Sequence, residues 1–118
     1  MKLKRFEDII AWQKAHRLTL DIYLSFGKSK DFAFRDQICK AALSVPNNIA
    51  EGFDRSTDKD FARFLYISIG SCSEVRSMLY LAADMNYIDQ NKKQILISNT
   101  EEVSRIIRGL IKSISNPV

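Results

Sequence analysis

The stretch 42–57, "ALSVPNNIAEGFDRST", decides how this chain is read. It opens as good helix and then places Pro46 inside it, followed by Asn47 and Asn48. An interior proline deletes the bond from residue 46 to the Ala42 carbonyl and crowds that carbonyl. The cost is about 3 kcal/mol in a plain helix. Two readings compete. A helix stops at Val45 and a new turn starts with Pro46 as its first residue, or one helix continues with a kink and neighbours satisfy the freed carbonyl. Val45, Ile49 and Phe53 stay in phase with Ile38, Ala41 and Ala42 across the proline, which favours the second reading.

Helical periodicity continues on both sides of this stretch. A first helix is expected over 6–26, closed by Gly27 as a left-handed cap. It carries two apolar stripes. Phe6, Ile9, Ile10, Gln13, Leu20 and Leu24 form one; Ala11, Ala15, Leu18 and Ile22 form a second on nearly the opposite side. The second helix begins near Asp31 as N-cap and stops at Gly52. A third follows Ser56 and Thr57, with Asp60 completing a cap to Thr57. It runs to about Met85 with Phe61, Phe64, Leu65, Ser68, Cys72, Val75, Met78, Leu79 and Ala82 inward. A fourth starts near Asp89 and shows Ile95, Leu96, Val103, Ile106, Ile107, Leu110 and Ile114, interrupted by Asn99. Connections of roughly 4 to 6 residues suit antiparallel neighbours. The expected fold is all-α: a single domain over 1–118, folded as an antiparallel up-down-up-down four-helix bundle.

Composition agrees. The chain has 118 residues, 46% of them apolar, with 2 prolines and 4 glycines, too few breakers for the turns of an all-β fold. Cys39 and Cys72 match no metal spacing, and with His16 the one histidine, no zinc quartet is expected. The opening "MKLKRFEDII" has no apolar signal core and no run reaches membrane-spanning length, so a cytoplasmic protein with reduced thiols is expected, without a membrane partner. The net charge of +4 permits contact with nucleic acid without showing it.

Pairing the first two helices around Ser29 sets Pro46 level with Trp12 and Ala42 level with His16. Trp12, Gln13 or His16 is then the expected donor to the freed carbonyl. The same pairing sets Asn48 near Ile10 and Glu51 near Glu7, with Arg5 in reach of both acids. Asn48 reads most simply as a packing amide. Trp12, Gln13, Pro46, Asn48, Glu51 and Gly52 thus form a structural motif. Pairing helices two and three around residue 55 levels Ser71 and Cys72 with Ile38 and Cys39, small residues that allow close approach.

Catalytic chemistry finds little footing. "GSCSE" over 70–74 lies within a helix and lacks the strand-to-helix turn of a nucleophile elbow. His16 has no nucleophile supplied beside it. Glu51 and Asp54 read as a solvated helix end more readily than as a cation site. There is no glycine-rich phosphate loop. No enzyme, catalytic residue, metal, cofactor or small-molecule substrate is expected.

Charge and surplus apolar surface say more. The topology gathers Lys2, Lys4, Arg5, Arg55, Lys59, Arg63, Arg105, Arg108 and Lys112 at one bundle end, against six acids. A basic end can follow a phosphate backbone; a mixed solubilising surface is the competing reading. The second stripe of the first helix (Ala11, Ala15, Leu18 and Ile22) joins Tyr66, Ile69, Gly70, Ser73 and Tyr80 of the third as apolar surface beyond one core face. Self-association is the preferred reading of that surplus, against a wide core face on a rotated helix.

"AWQKAHRL" at 11–18, "DQICKAALSVPNNIAEGFDRS" at 36–56 and "FARFLYISIGSCSEVRSMLYLAADMNYI" at 61–88 resemble the four-helix-bundle family of 23S ribosomal RNA intervening-sequence proteins, also called the S23 family. The combination of Trp12-Gln13, Gln37, the run Ser44 to Gly52, Gly70-Ser71 and Glu74 carries the resemblance. It implies an all-α bundle assembling into ring-like homo-oligomers, typically pentamers, with no established enzymatic activity. A similar fold serves as the accessory protein of diversity-generating retroelements, where a basic pentamer engages nucleic acid and a reverse transcriptase. Asp54 departs from the neutral or basic turn expected of those proteins. The expected role is therefore a homo-oligomer that binds RNA or DNA through its basic end, or a protein-interaction scaffold without nucleic acid.

Overall fold

The computed structural model describes residues 3–115. A 3-10 turn over Phe6–Asp8 precedes four α-helices: α1 over Ile10–Phe26, α2 over Phe32–Phe53, α3 over Asp58–Asp84 and α4 over Gln90–Ser115. Each helix packs on the next, α4 closes back on α1, and the diagonal pairs stay apart. This is the antiparallel four-helix bundle, measuring 48 × 22 × 19 Å.

α2 runs unbroken through Pro46. The Ala42 carbonyl that the proline orphans accepts a hydrogen bond from the Thr19 hydroxyl of α1 at 2.9 Å. The same hydroxyl lies 2.9 Å from the Ala15 carbonyl of its own helix, so one buried donor serves two acceptors. The donor is thus neither Trp12, Gln13 nor His16. Pairing Thr19 with Ala42 shifts the α1–α2 register by three residues, nearly one turn, from the expected pairing with His16. Trp12 instead stacks on His16 at 4.8 Å and meets Phe6 edge-on at 5.3 Å.

A similar shift occurs between α2 and α3. Ser71 reaches Ser44 at 2.8 Å rather than Ile38 or Cys39, and Ser68 donates to the Val45 carbonyl at 2.8 Å. Asn48 donates to the Ser44 carbonyl and hydroxyl at 2.8 and 2.9 Å, the packing amide expected of it. These small polar groups surround the turn that proline disturbs.

α2 ends at Phe53, one residue past Gly52, whose carbonyl accepts from the Arg55 N–H at 3.1 Å, but the glycine also has a packing role. It is buried within α2, and a Cβ built on it would lie 2.6 Å from the Phe64 Cβ. Real Cβ atoms do not approach so closely, so glycine here sets the α2–α3 separation. Gly27 is not left-handed; its φ is −59°. The first helix also breaks earlier than expected: Ile9 is extended, and Gln13 donates to the Glu7 carbonyl at 2.9 Å, tying the 3-10 turn to α1.

The caps that begin α2 and α3 are well formed. Asp31 caps α2 by accepting from the Phe34 N–H at 3.2 Å, and Thr57 caps α3 by accepting from the Asp60 N–H at 3.1 Å. α3 closes with Asn86 at φ 61°, its N–H on the Ala83 carbonyl and the Tyr87 N–H on Ala82. That is a Schellman closure, in which asparagine tolerates the left-handed region. Tyr87 then donates to the second oxygen of Asp31 at 2.6 Å. Phe26, Phe34 and Tyr87 meet edge to face beneath this bond.

The stripes of α1 exchange roles. Ala11, Ala15, Leu18 and Ile22 are all buried in the chain's own core, Leu18 at 1% exposure. They cannot form a partner surface. Ile10, Leu20 and Leu24, expected inward, are exposed, Leu24 at 76%. The small side chains at 11 and 15 let α1 come close to its neighbours, and the one polar residue buried with that stripe is Thr19. Ile69 is also core. α4 is rotated too: Ile97, Thr100 and Ile111 face inward, while Ile95 faces out.

Candidate functional site

Antiparallel packing brings the start of α1, the α2–α3 turn and the end of α4 to one bundle end. Lys2 lies outside the described residues. Lys4, Arg5, Arg55, Lys59, Arg63, Arg105, Arg108 and Lys112 are all exposed. Three of these arginines have acidic neighbours. Arg5 lies 3.2 Å from Glu7 and 3.7 Å from Asp8; Arg55 lies 3.1 Å from Glu51, and Arg63 lies 3.6 Å from Asp60. Glu51 therefore pairs with Arg55 of the α2–α3 turn and does not share Arg5 with Glu7. Arg55 and Arg63 also each place a guanidinium 4.7 Å from the Phe64 ring centre, where the aromatic face attracts a cation.

Among the described residues, Lys59, Arg105, Arg108 and Lys112 make no ion pair within 4.0 Å. Lys59, Arg108 and Lys112 flank a crevice between the first turns of α3 and the last turns of α4. Its larger part, about 750 Å³, runs past Lys59, Arg63, Tyr66 and Ile114, with Asp58 and Asp60 on the rim. Its smaller part, about 300 Å³, lies among Tyr66, Arg108, Ile111 and Lys112. Tyr66 lines both, with its side chain 56% exposed. Positive charge and an open aromatic face thus meet in one place.

The rest of the outer face of α3 is apolar or small. Ile67, Tyr80 and Leu81 are exposed, with Gly70, Ser73 and Ser77 between them. A Cβ at Gly70 would meet nothing within 4 Å. Glu74, the nearest charge, accepts from Gln37 of α2, and Arg76 turns to Glu101 of α4 at 3.3 Å. Lys93 reaches over the Tyr80 ring at 5.3 Å. Exposed apolar side chains also occur where the pattern did not anticipate them: Leu20, Tyr23 and Leu24 of α1 and Leu43 of α2, with Tyr23 and Leu43 lining a shallow hollow beside Arg35, Asp36 and Lys40. Polar Gln13 and Arg17 among the outer positions of α1 were the signal that this face is the wet one.

Other titratable groups do not assemble into a reactive cluster. No group of three or more His, Cys, Asp or Glu residues suited to a metal occurs among the described residues. Burial pushes the Cys72 thiol up to about 12 and moves Cys39 upward too. Neither shift favours the thiolate that nucleophilic chemistry needs. None of the described helices is long and apolar enough to cross a membrane.

A bundle of this kind, four antiparallel helices around one core, is an all-α helical-bundle protein. More narrowly, the chain belongs to the 23S rRNA-intervening sequence protein family, whose model matches residues 7–109. The fold is also similar to a protein of unknown function from the S23 ribosomal protein family of Bacteroides thetaiotaomicron VPI-5482. That crystal structure superposes with a TM-score of 0.81 at 21% identity, over 87% of this chain and 99% of the other. No curated protein matches the chain.

Proposed function

We propose that this chain is a non-enzymatic cytoplasmic protein that assembles with copies of itself, in the pentameric manner its family resemblance implies, and presents its basic ends to RNA or DNA. The outer face of α3 carries the reading. Ile67 and Leu81 flank Gly70 and Ser77 on a face whose neighbouring charges turn aside to α2 and α4. Small residues at its centre allow another helix to approach closely, and the flanking apolar groups gain about 25 cal/mol per Å² when covered. Assembly multiplies the basic ends and so the phosphate contacts of one particle.

Light scattering at tens of micromolar tests the assembly. An oligomer is expected, and Ile67→Glu with Leu81→Glu is expected to reduce it to monomers that remain helical. A wild-type monomer overturns the proposal. Binding to RNA or DNA is expected to weaken steeply between about 50 and 200 mM salt; no binding at the lower salt removes the nucleic-acid half. The exposed side chains Leu20, Tyr23, Leu24 and Leu43 then favour a scaffold for another protein.

A further inference from the structure

We propose that the α3–α4 crevice at the basic end receives single-stranded nucleic acid, with one base stacked on Tyr66 and the adjoining phosphates held by Lys59, Arg63, Arg108 and Lys112. This deepens the nucleic-acid reading above and rests on it. Tyr66 and Ser115 line both parts of the crevice, and Tyr66 is the aromatic wall, with more than half of its surface open. Two cations come from α3 on one side and two from α4 on the other. Arg108 and Lys112 stand one turn apart, so their charges align along the crevice. A ring between two cationic rails is the arrangement with which proteins hold unpaired strands: the backbone follows the charge and the base lies on the aromatic face.

Two features favour a single strand over a duplex. Duplex bases are already stacked, leaving Tyr66 no base face to cover, whereas an unpaired base offers one. Asp58 and Asp60 on the rim also interrupt a continuous track of phosphate contacts. A carboxylate there repels phosphate but accepts a hydrogen bond from an exocyclic amino group of a base. Asp60 is held by Arg63, while Asp58 is exposed and makes no ion pair within 4.0 Å among the described residues. The 750 Å³ of the larger part is of the size that encloses small organic ligands. Tyr66 leans toward α4, so the seam between copies is assigned to Ile67, Gly70, Ser77 and Leu81.

Fluorescence anisotropy tests this with the intact chain and an end-labelled RNA of about twelve nucleotides, within the span such sites cover, single-stranded or annealed to its complement. The single strand is expected to bind more tightly. Tyr66→Ala is expected to weaken it by about 5- to 150-fold, the range for losing one stacked base. Tyr66→Phe keeps the ring and is expected to stay within about 2-fold of wild type. Light scattering on each variant reports the assembly. Equal binding of both RNAs with no effect of Tyr66→Ala overturns the stacking and leaves the phosphate reading standing. Loss of binding in Tyr66→Phe as well as Tyr66→Ala overturns it in favour of the hydroxyl. A changed particle mass in Tyr66→Ala overturns it by placing Tyr66 in the seam. No binding of either RNA at low salt removes both readings.

Discussion

Thr19 shows how much one hydroxyl can decide. The proline in α2 leaves the Ala42 carbonyl without its backbone donor, and Thr19 replaces that donor from another helix. Leaving a buried acceptor bare costs about 1–3 kcal/mol. Thr19→Val is therefore expected to lower unfolding free energy in urea by about that amount. In a Pro46→Ala background, residue 46 regains its N–H and the same substitution is expected to cost far less. Additive effects in the double-mutant cycle would contradict the account. Tyr87 and Asp31 make a second residue-level prediction. The tyrosine hydroxyl, then the Phe34 N–H, hold the Asp31 carboxyl below its ordinary value, and that same bond raises Tyr87. A lowered carboxyl stabilises the fold above about pH 4 and loses that contribution as pH falls through its folded value. A raised tyrosine stabilises below about pH 10 and loses it as pH rises through its folded value. Tyr87→Phe is expected to lower the melting temperature at neutral pH, and the difference is expected to narrow by about pH 2. An equal difference at both pH values would separate Asp31 from the effect.

At the scale of the helix, two glycines make opposite predictions. Gly52→Ala drives a Cβ into Phe64 and is expected to destabilise by about 1–3 kcal/mol. Gly70→Ala meets open space on an exposed helix and is expected to stabilise the isolated subunit by about 0.5–1 kcal/mol. Urea unfolding at low protein concentration distinguishes them, and two effects of the same sign would refute the packing description. The elements themselves were legible: four helices, the caps at Asp31 and Thr57, and a helix continuing through Pro46 all follow from period and cap chemistry. Register and rotation were not. Antiparallel helices slide by one turn with little change in which residue types meet, so equal-length bookkeeping around a loop placed His16 where Thr19 stands. For α1, the sequence showed two apolar stripes, and the one with Leu20 and Leu24 was expected inward. The core instead takes the stripe with alanines, because small side chains at the contact let the helices approach closely. The basic cluster was legible because topology alone gathers it. Tyr66 beside it was not, since its tilt toward α4 depends on the rotation of α3.

For the whole molecule, the exposed apolar faces and the basic end form separate territories. Ile67→Glu with Leu81→Glu is expected to abolish assembly and to weaken nucleic-acid binding through lost multivalency. Arg108→Ala with Lys112→Ala is expected to reduce affinity and flatten its salt dependence while leaving particle mass unchanged. Analytical ultracentrifugation alongside anisotropy reads both, and a mass change in the arginine–lysine variant would merge the two territories. Burial also makes a chemical statement: Cys72, pushed up to about 12, is expected to resist alkylation at about pH 8 until the chain unfolds.

The hydroxyl of Thr19 has a further effect during folding. A slide of α1 that brought Ala15 or Ile22, the neighbours of Thr19 on its buried stripe, opposite Ala42 would place no donor there. A misaligned hairpin therefore pays twice, in packing and in a bare carbonyl at the proline. What looks like a flaw in one helix acts as a checkpoint on the alignment of two.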